Sequence, residues 1–136
     1  MIPAWVNDFV GIPFVNKGRD RSGADCWGLV VLVLHDVFGI STPDMSDAYE
    51  QCDNVPDTAP FLALANDWRT VEREDAQPGD VIVITTGGQP RHIGLVVAPG
   101  WFLHSGPKSD AVISRMDAMQ FTARVYGVFR HQSRVV

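Results

Sequence analysis

GADCWGLV, residues 23–30, leads from a polar loop into an apolar run. Apolar side chains recur with helical period from Leu29 to Phe38, which predicts a buried helix. Asp25 is suited to cap its N-terminus, and Gly39 is suited to end it. Cys26 would then lie in the first helical turn, where backbone N–H groups and the helix dipole favour a thiolate. The segment therefore predicts a cysteine nucleophile whose base must come from elsewhere in the chain.

Length and composition restrict the class of protein. We expect one domain over residues 1–136, since this length can bury its own core. The net charge of −5 and the absence of a dense basic cluster argue against nucleic-acid binding. No apolar stretch reaches the ~18 residues of a membrane span, and residues 1–5 lack the features of a signal peptide. We therefore expect free thiols at Cys26 and Cys52, with one disulfide as the alternative.

The order of the patterns predicts an α+β fold. Residues 2–10 and 61–68 have the apolar spacing of short helices, whereas residues 40–60 are acidic and have no sustained period, apart from a helical turn near Ala48. Five short strands follow in the second half of the chain. The predicted strands are Val81–Ile84, Ile93–Ala98, Trp101–Ser105, Val112–Arg115 and Arg124–Phe129. We therefore expect N-terminal helices packed on a central antiparallel sheet of about five strands.

Two of the four histidines are placed to act together. His35 and His131 are expected at the surface, but His92 begins the second predicted strand and His104 ends the third. A two-residue turn at Pro99-Gly100 would direct them to opposite faces. A three-residue loop over residues 98–100, with Gly100 left-handed, places Gly94 opposite His104 and His92 diagonal to it. We favour the three-residue loop.

This arrangement suits nucleophilic catalysis. Cys26 would attack a carbonyl, His92 would take and return the proton, and His104 would orient the imidazole of His92. The backbone N–H of Cys26 is a candidate oxyanion donor. Spacing alone leaves two alternatives. Cys26 could be a small residue of the core. Cys26, His92, His104 and Cys52 could instead bind zinc, although no CxxC or HxxxH spacing supports a metal site.

The order and spacing of five short boxes resemble those of the NlpC/P60 cysteine peptidases over roughly residues 4–129. The boxes are GIPF at 11–14 (similar to G-x-P-Y), DCWGLV at 25–30 (similar to D-C-S/W-G-L-V), PGDV at 78–81 (similar to P-G-D-L/V), HIGL at 92–95 (similar to H-V/I-G) and LHS at 103–105 (similar to I/L-H-A/S). The tryptophan after Cys26 and the short chain are similar to the phage tail-tip branch of the family.

The resemblance implies a papain-like core that hydrolyses an amide of peptidoglycan stem peptides, commonly the bond between D-γ-glutamate and a diamino acid. It implies Cys26 as nucleophile, His92 as base and His104 as third polar residue. It assigns no metal or other cofactor. The substrate cleft would include Phe14, Asp25, Trp27, Gly94 and Ser105. The resemblance also implies phage tail-tip proteins as partners. The protein would be made in the host cytoplasm, and it would belong to a virion tail or be encoded by a prophage.

Two departures from the family pattern favour a second hypothesis. Phe14 stands where the family often has a tyrosine whose hydroxyl is thought to assist at the oxyanion, and Lys17-Gly18 replaces a glycine pair. Losing one oxyanion donor typically costs about 10²–10³ in rate. The alternative is therefore a catalytically weak or inactive tail-assembly or binding module that retains the fold.

Overall fold

The computed structural model of the chain describes residues 2–47, 49 and 67–134. Cys52, the predicted helical turn near Ala48, most of the acidic segment and most of the predicted helix at 61–68 lie outside the described residues. The described strands and helix are β1 (Arg19–Asp20), β2 (Gly23–Ala24), α1 (Cys26–Phe38), β3 (Trp68–Val71), β4 (Val81–Thr86), β5 (Gln89–Ala98), β6 (Trp101–Gly106), β7 (Ser109–Arg115) and β8 (Val125–His131).

Helix α1 has the bounds that the sequence predicts. The side chain of Asp25 accepts a hydrogen bond from the backbone N–H of Gly28, and Gly39 takes the left-handed conformation, φ 67°, at the C-terminal end. Both ends are therefore set by local chemistry, an N-terminal carboxylate cap and a glycine that tolerates positive φ.

Six strands form one antiparallel sheet, in the order β3-β8-β4-β5-β6-β7. Helix α1 packs across one face, mainly on β5 and β6. Two apolar clusters fill the two faces. The first joins α1 to residues such as Ile93, Leu95 and Leu103. The second, on the other face, includes Ile84 and Phe102. This α+β architecture confirms the predicted fold class.

The differences from the predicted elements are local. All five predicted strands are present, most of them longer than predicted, and β3 adds a sixth at the edge, so Trp68 begins a strand instead of ending a helix. Residues 2–10 form only a 3₁₀ turn at Ala4–Asp8, because a helix this short does not repay the cost of nucleation. It still buries Val6 and, just after it, Phe9.

The N-terminal segment covers the outer edge of β7. The backbone N–H of Gly11 donates to the carbonyl of Ala111 at 2.8 Å, and the N–H of Ala111 donates to the carbonyl of Ile12 at 3.0 Å. The next contact is from the backbone N–H of Phe14 to Oδ1 of Asp110, at 2.9 Å. Residues 11–14 thus supply hydrogen-bond partners that this edge strand would otherwise lack.

The glycine of the segment at 23–30 is required by packing. A Cβ at Gly28 would overlap the carbonyl oxygen of Gly18 and approach the guanidinium of Arg19 to 2.8 Å. A backbone carbonyl cannot move aside as a flexible side chain can.

We therefore expect Gly28→Ala to lower the free energy of unfolding by about 2–3 kcal/mol, at the upper end of the cost of overpacking. Urea denaturation followed by circular dichroism measures this. Gly106→Ala is the matched control, because a Cβ at Gly106 meets open space. Equal stability of the two variants would contradict the close approach.

Candidate active site

Asp25 is the centre of a buried polar network at the start of α1. Its side chain is fully buried and accepts hydrogen bonds from the backbone N–H groups of Gly28 and Lys17, each at 2.8 Å. Nη1 of Arg19 lies 2.9 Å from Oδ1, and the hydroxyl of Tyr49 donates to Oδ2. Burial, and then the bond to Asp25, raise the pKa of Tyr49 well above its usual range. The predicted substrate residue Asp25 is therefore a structural centre whose two oxygens are both in use.

Cys26 is the first residue of α1 and is 3 % exposed. It belongs to the first apolar cluster, together with Ile93 and Leu103, which are the chain neighbours of His92 and His104. Trp27 is also buried, and its indole N–H donates to the carbonyl of Pro43 at 3.3 Å. The structure thus places the predicted nucleophile at the end of a capped helix that packs on the two histidine-bearing strands.

The two histidines lie side by side on β5 and β6. Nε2 of His92 is 2.8 Å from Nδ1 of His104. The ring of His104 lies tilted against Phe102, with 4.5 Å between centroids, and meets Phe121 edge-on. The predicted pairing of the histidines is therefore found, although the turn that produces it differs from the prediction.

The register depends on a bulge. Ala98 pairs with Trp101 across a two-residue turn, so the three-residue loop is wrong. An irregularity between Val96 and Ala98 then shifts the ladder by one residue, and Val96 pairs with Phe102. The extra residue restores the register that places Gly94 beside His104, where a Cβ on Gly94 would lie 3.3 Å from that of His104.

Ser114, on β7, extends the pair by one residue that the sequence reasoning missed. Its Oγ lies 2.8 Å from Nε2 of His104. Ser114 pairs with Phe102 in the β6–β7 ladder, which brings it to the face that carries the histidines. No local signal marks this serine, but a register argument extended to β7 would have found it.

Burial keeps both histidines uncharged at neutral pH. Loss of solvent, together with the charges of His104 and Arg124, lowers the pKa of His92 to about 3. Loss of solvent lowers the pKa of His104 to about 4. A neutral imidazole can accept a proton, so this state is the one that a general base needs.

The remaining predicted cleft residues are dispersed. Phe14 is half-buried and packs against the first cluster. Ser105 is 2 % exposed and lines a cavity beside the histidines. His35 is exposed as expected, but His131 is not in a tail: it ends β8 and packs edge-on against Trp68. No helix in the described part of the chain is long and apolar enough to cross a membrane.

Comparison with known proteins identifies the family. A model of the NlpC/P60 family matches residues 11–130. The chain belongs to the NlpC/P60 family.

Relatives agree with the family assignment. The chain is 31% identical over 119 residues to a "Probable endopeptidase" of Haemophilus influenzae, covering 86% of this chain and 65% of the relative. It is 25% identical over 127 residues to the "Murein DD-endopeptidase MepS/Murein LD-carboxypeptidase" of Escherichia coli K12, covering 93% and 60%. The chain thus spans under two thirds of the length of these relatives. The crystal structure of the NlpC/p60 domain of the peptidoglycan hydrolase SagA has the same fold, with a TM-score of 0.63, 20% identity and 92% of each chain covered.

The P-G-D box stabilises the sheet at the start of β4. In the P-G-D box, Gly79 has φ 93°, and Asp80 is fully buried at the start of β4. Both carboxylate oxygens of Asp80 receive hydrogen bonds from the guanidinium of Arg130, each at 2.9 Å. This bidentate ion pair joins β4 to its neighbour β8.

The lowered histidine pKa values predict an acid-sensitive fold. Between pH 6.5 and 4 the unfolded chain binds protons at these histidines and the folded chain does not, so stability falls as pH falls. His104→Gln should reduce the loss of unfolding free energy between pH 7 and pH 5 by about 1–2 kcal/mol. Urea denaturation at the two pH values measures it.

His35→Gln, at an exposed histidine far from the pair, is the control and should keep the wild-type loss. Identical pH dependence in His104→Gln and wild type would contradict a buried neutral pair.

Proposed function

We propose that the chain is a cysteine peptidase that hydrolyses an amide bond in peptidoglycan stem peptides. The observation that carries the proposal is the line of hydrogen bonds from His92 through His104 to Ser114. The strands that bear the two histidines, β5 and β6, pack against the helix that begins at Cys26. The family match and the murein endopeptidase activity in the name of the Escherichia coli relative support the substrate class.

The proposed reaction begins with transfer of the Cys26 proton to His92. Nε2 of His92 faces His104, so Nδ1 is the nitrogen that would take the proton. The thiolate attacks the substrate carbonyl, and the imidazolium then gives its proton to the leaving amine. Water, deprotonated by the same imidazole, hydrolyses the thioester and regenerates the thiol. His92 is thus base in one step and acid in the next.

The hydrogen-bond line has two possible directions, and only one suits this role. If His104 donates from Nε2 to Ser114, its Nδ1 accepts from Nε2–H of His92, and Nδ1 of His92 keeps its lone pair. If Ser114 donates instead, every proton shifts and Nδ1 of His92 carries a hydrogen. We infer that Ser114 acts as the acceptor and thereby holds His92 in the basic tautomer.

We also propose which bond is cleaved and where the protein acts. The family boxes suggest the bond between D-γ-glutamate and a diamino acid. Trp27 after the cysteine suggests the phage tail-tip branch, with tail-tip proteins as partners and a place in a virion tail. The second candidate, a weak or inactive module, is favoured by Phe14, whose ring has no hydroxyl to donate at the oxyanion.

Incubation of the protein with peptidoglycan fragments, followed by mass spectrometry, tests the enzyme. Wild type should cleave one amide bond, and Cys26→Ala and His92→Gln should each lower the rate by at least about 10³. The products identify the bond.

Cleavage that survives in Cys26→Ala would exclude the cysteine mechanism. A folded wild type that cleaves nothing would favour the binding module. Cleavage gained in Phe14→Tyr would then show that the missing hydroxyl limits the site.

Ser114→Ala should lower kcat about tenfold with little change in KM, because His104 would lose its acceptor and the tautomer of His92 would no longer be fixed. Ser114→Thr, which keeps a hydroxyl, should retain most of the activity. Steady-state kinetics on the fragment cleaved by wild type measures both. Equal kcat in Ser114→Ala and wild type would show that the serine does not set the tautomer.

A further inference from the structure

A cavity of about 410 Å³ lies beside the two histidines. Its walls come from the β4–β5 hairpin, the β6–β7 turn and the loop before β8. The lining includes His92, His104, Ser105, Arg91, Lys108 and Arg124. Phe121 adds an apolar surface. The cavity therefore borders the proposed base directly.

The lining is positively charged without compensation. Arg91, Lys108 and Arg124 contribute three cations, and no aspartate or glutamate of the described residues lines the cavity. None of these three side chains forms an ion pair with another described residue, whereas the arginines Arg19 and Arg130 do. Since the protein as a whole carries a net charge of −5, this concentration of positive charge does not follow from composition.

Two polar atoms in the lining residues are buried without a hydrogen-bond partner among the described residues: Nε of Arg91 and Oγ of Ser105. Buried donors left unsatisfied are costly. Arg124 is fixed differently. Its guanidinium donates to the backbone carbonyls of Thr85 at 2.8 Å and Gln120 at 3.0 Å, which position the charge without neutralising it.

We propose that this cavity binds a free carboxylate on the leaving fragment of the substrate. The inference rests on the proposed function. In that reaction His92 protonates the leaving amine, so the atoms attached to that nitrogen must lie beside His92, which lines the cavity. A carboxylate is an anion that an arginine can bind through two parallel hydrogen bonds. The substrate class is a peptide whose leaving residue carries an unblocked carboxylate.

A carboxylate bound in the cavity would also affect His92, the proposed base. The charge of Arg124 contributes to the low pKa of His92. A bound carboxylate offsets that charge and so acts to raise the pKa of His92, while burial, the largest cause of the low pKa, remains.

Two matched peptides test the assignment, one with a free carboxylate and one with a primary amide on the leaving residue. Isothermal titration calorimetry on Cys26→Ala protein should show about 10- to 100-fold tighter binding of the carboxylate peptide. Adding Arg91→Gln or Lys108→Gln should remove most of that preference. Arg115→Gln is the matched control, because Arg115 is exposed and paired with Asp117 outside the cavity.

The binding measurement separates this proposal from the enzyme itself. Carboxylate-selective binding without hydrolysis by wild type would leave the subsite standing and refute the peptidase. Hydrolysis of both peptides with equal kcat/KM, unchanged by Arg91→Gln, would refute the subsite and leave the peptidase standing. Inorganic phosphate that binds while the two peptides bind equally would also overturn the assignment to a carboxylate.

Discussion

The hydrogen bonds to the Asp25 carboxylate are the interactions on which the start of α1 depends. A fully buried carboxylate without partners costs several kcal/mol, so its donors must be in place whenever the chain is folded. Those donors come from the preceding loop, from α1 itself and from Tyr49. The network therefore fixes the first turn of α1 relative to segments on both sides of it. Cys26, one residue further on, is thereby held in a defined position.

The histidine side is held by a different principle. His92, His104 and Ser114 are placed by ladder register on three consecutive strands, and the bulge at Val97 is what aligns the first two. The position of Cys26 on α1 is fixed by one polar network, whereas the positions of the histidines are fixed by backbone pairing along the strands. Since α1 packs on β5 and β6, the two parts meet through apolar contacts that involve Ile93 and Leu103. The proposed site residues are thus positioned by interactions that also stabilise the fold.

Features encoded locally were predictable from the sequence, and those that depend on distant pairing were not. The bounds of α1 follow from Asp25 and Gly39, which act within one turn of the helix. Strand β3 was missed because its pairing partner, β8, lies some sixty residues away. The pairing of His92 with His104 was predicted for the wrong reason: no property of the residues at 97–101 distinguishes a three-residue loop from a tight turn with a bulge. Ser114 was missed because its role comes entirely from the strand beside it.

The backbone bonds between residues 11–14 and β7 have a consequence for behaviour in solution. An open six-stranded sheet has two lateral edges at which another molecule could add a strand. At one of them, Gly11 and Ile12 occupy the donor and acceptor of Ala111, and Phe14 is tied to Asp110. The GIPF box thus includes residues that close this edge, which disfavours edge-to-edge association of two copies through β7.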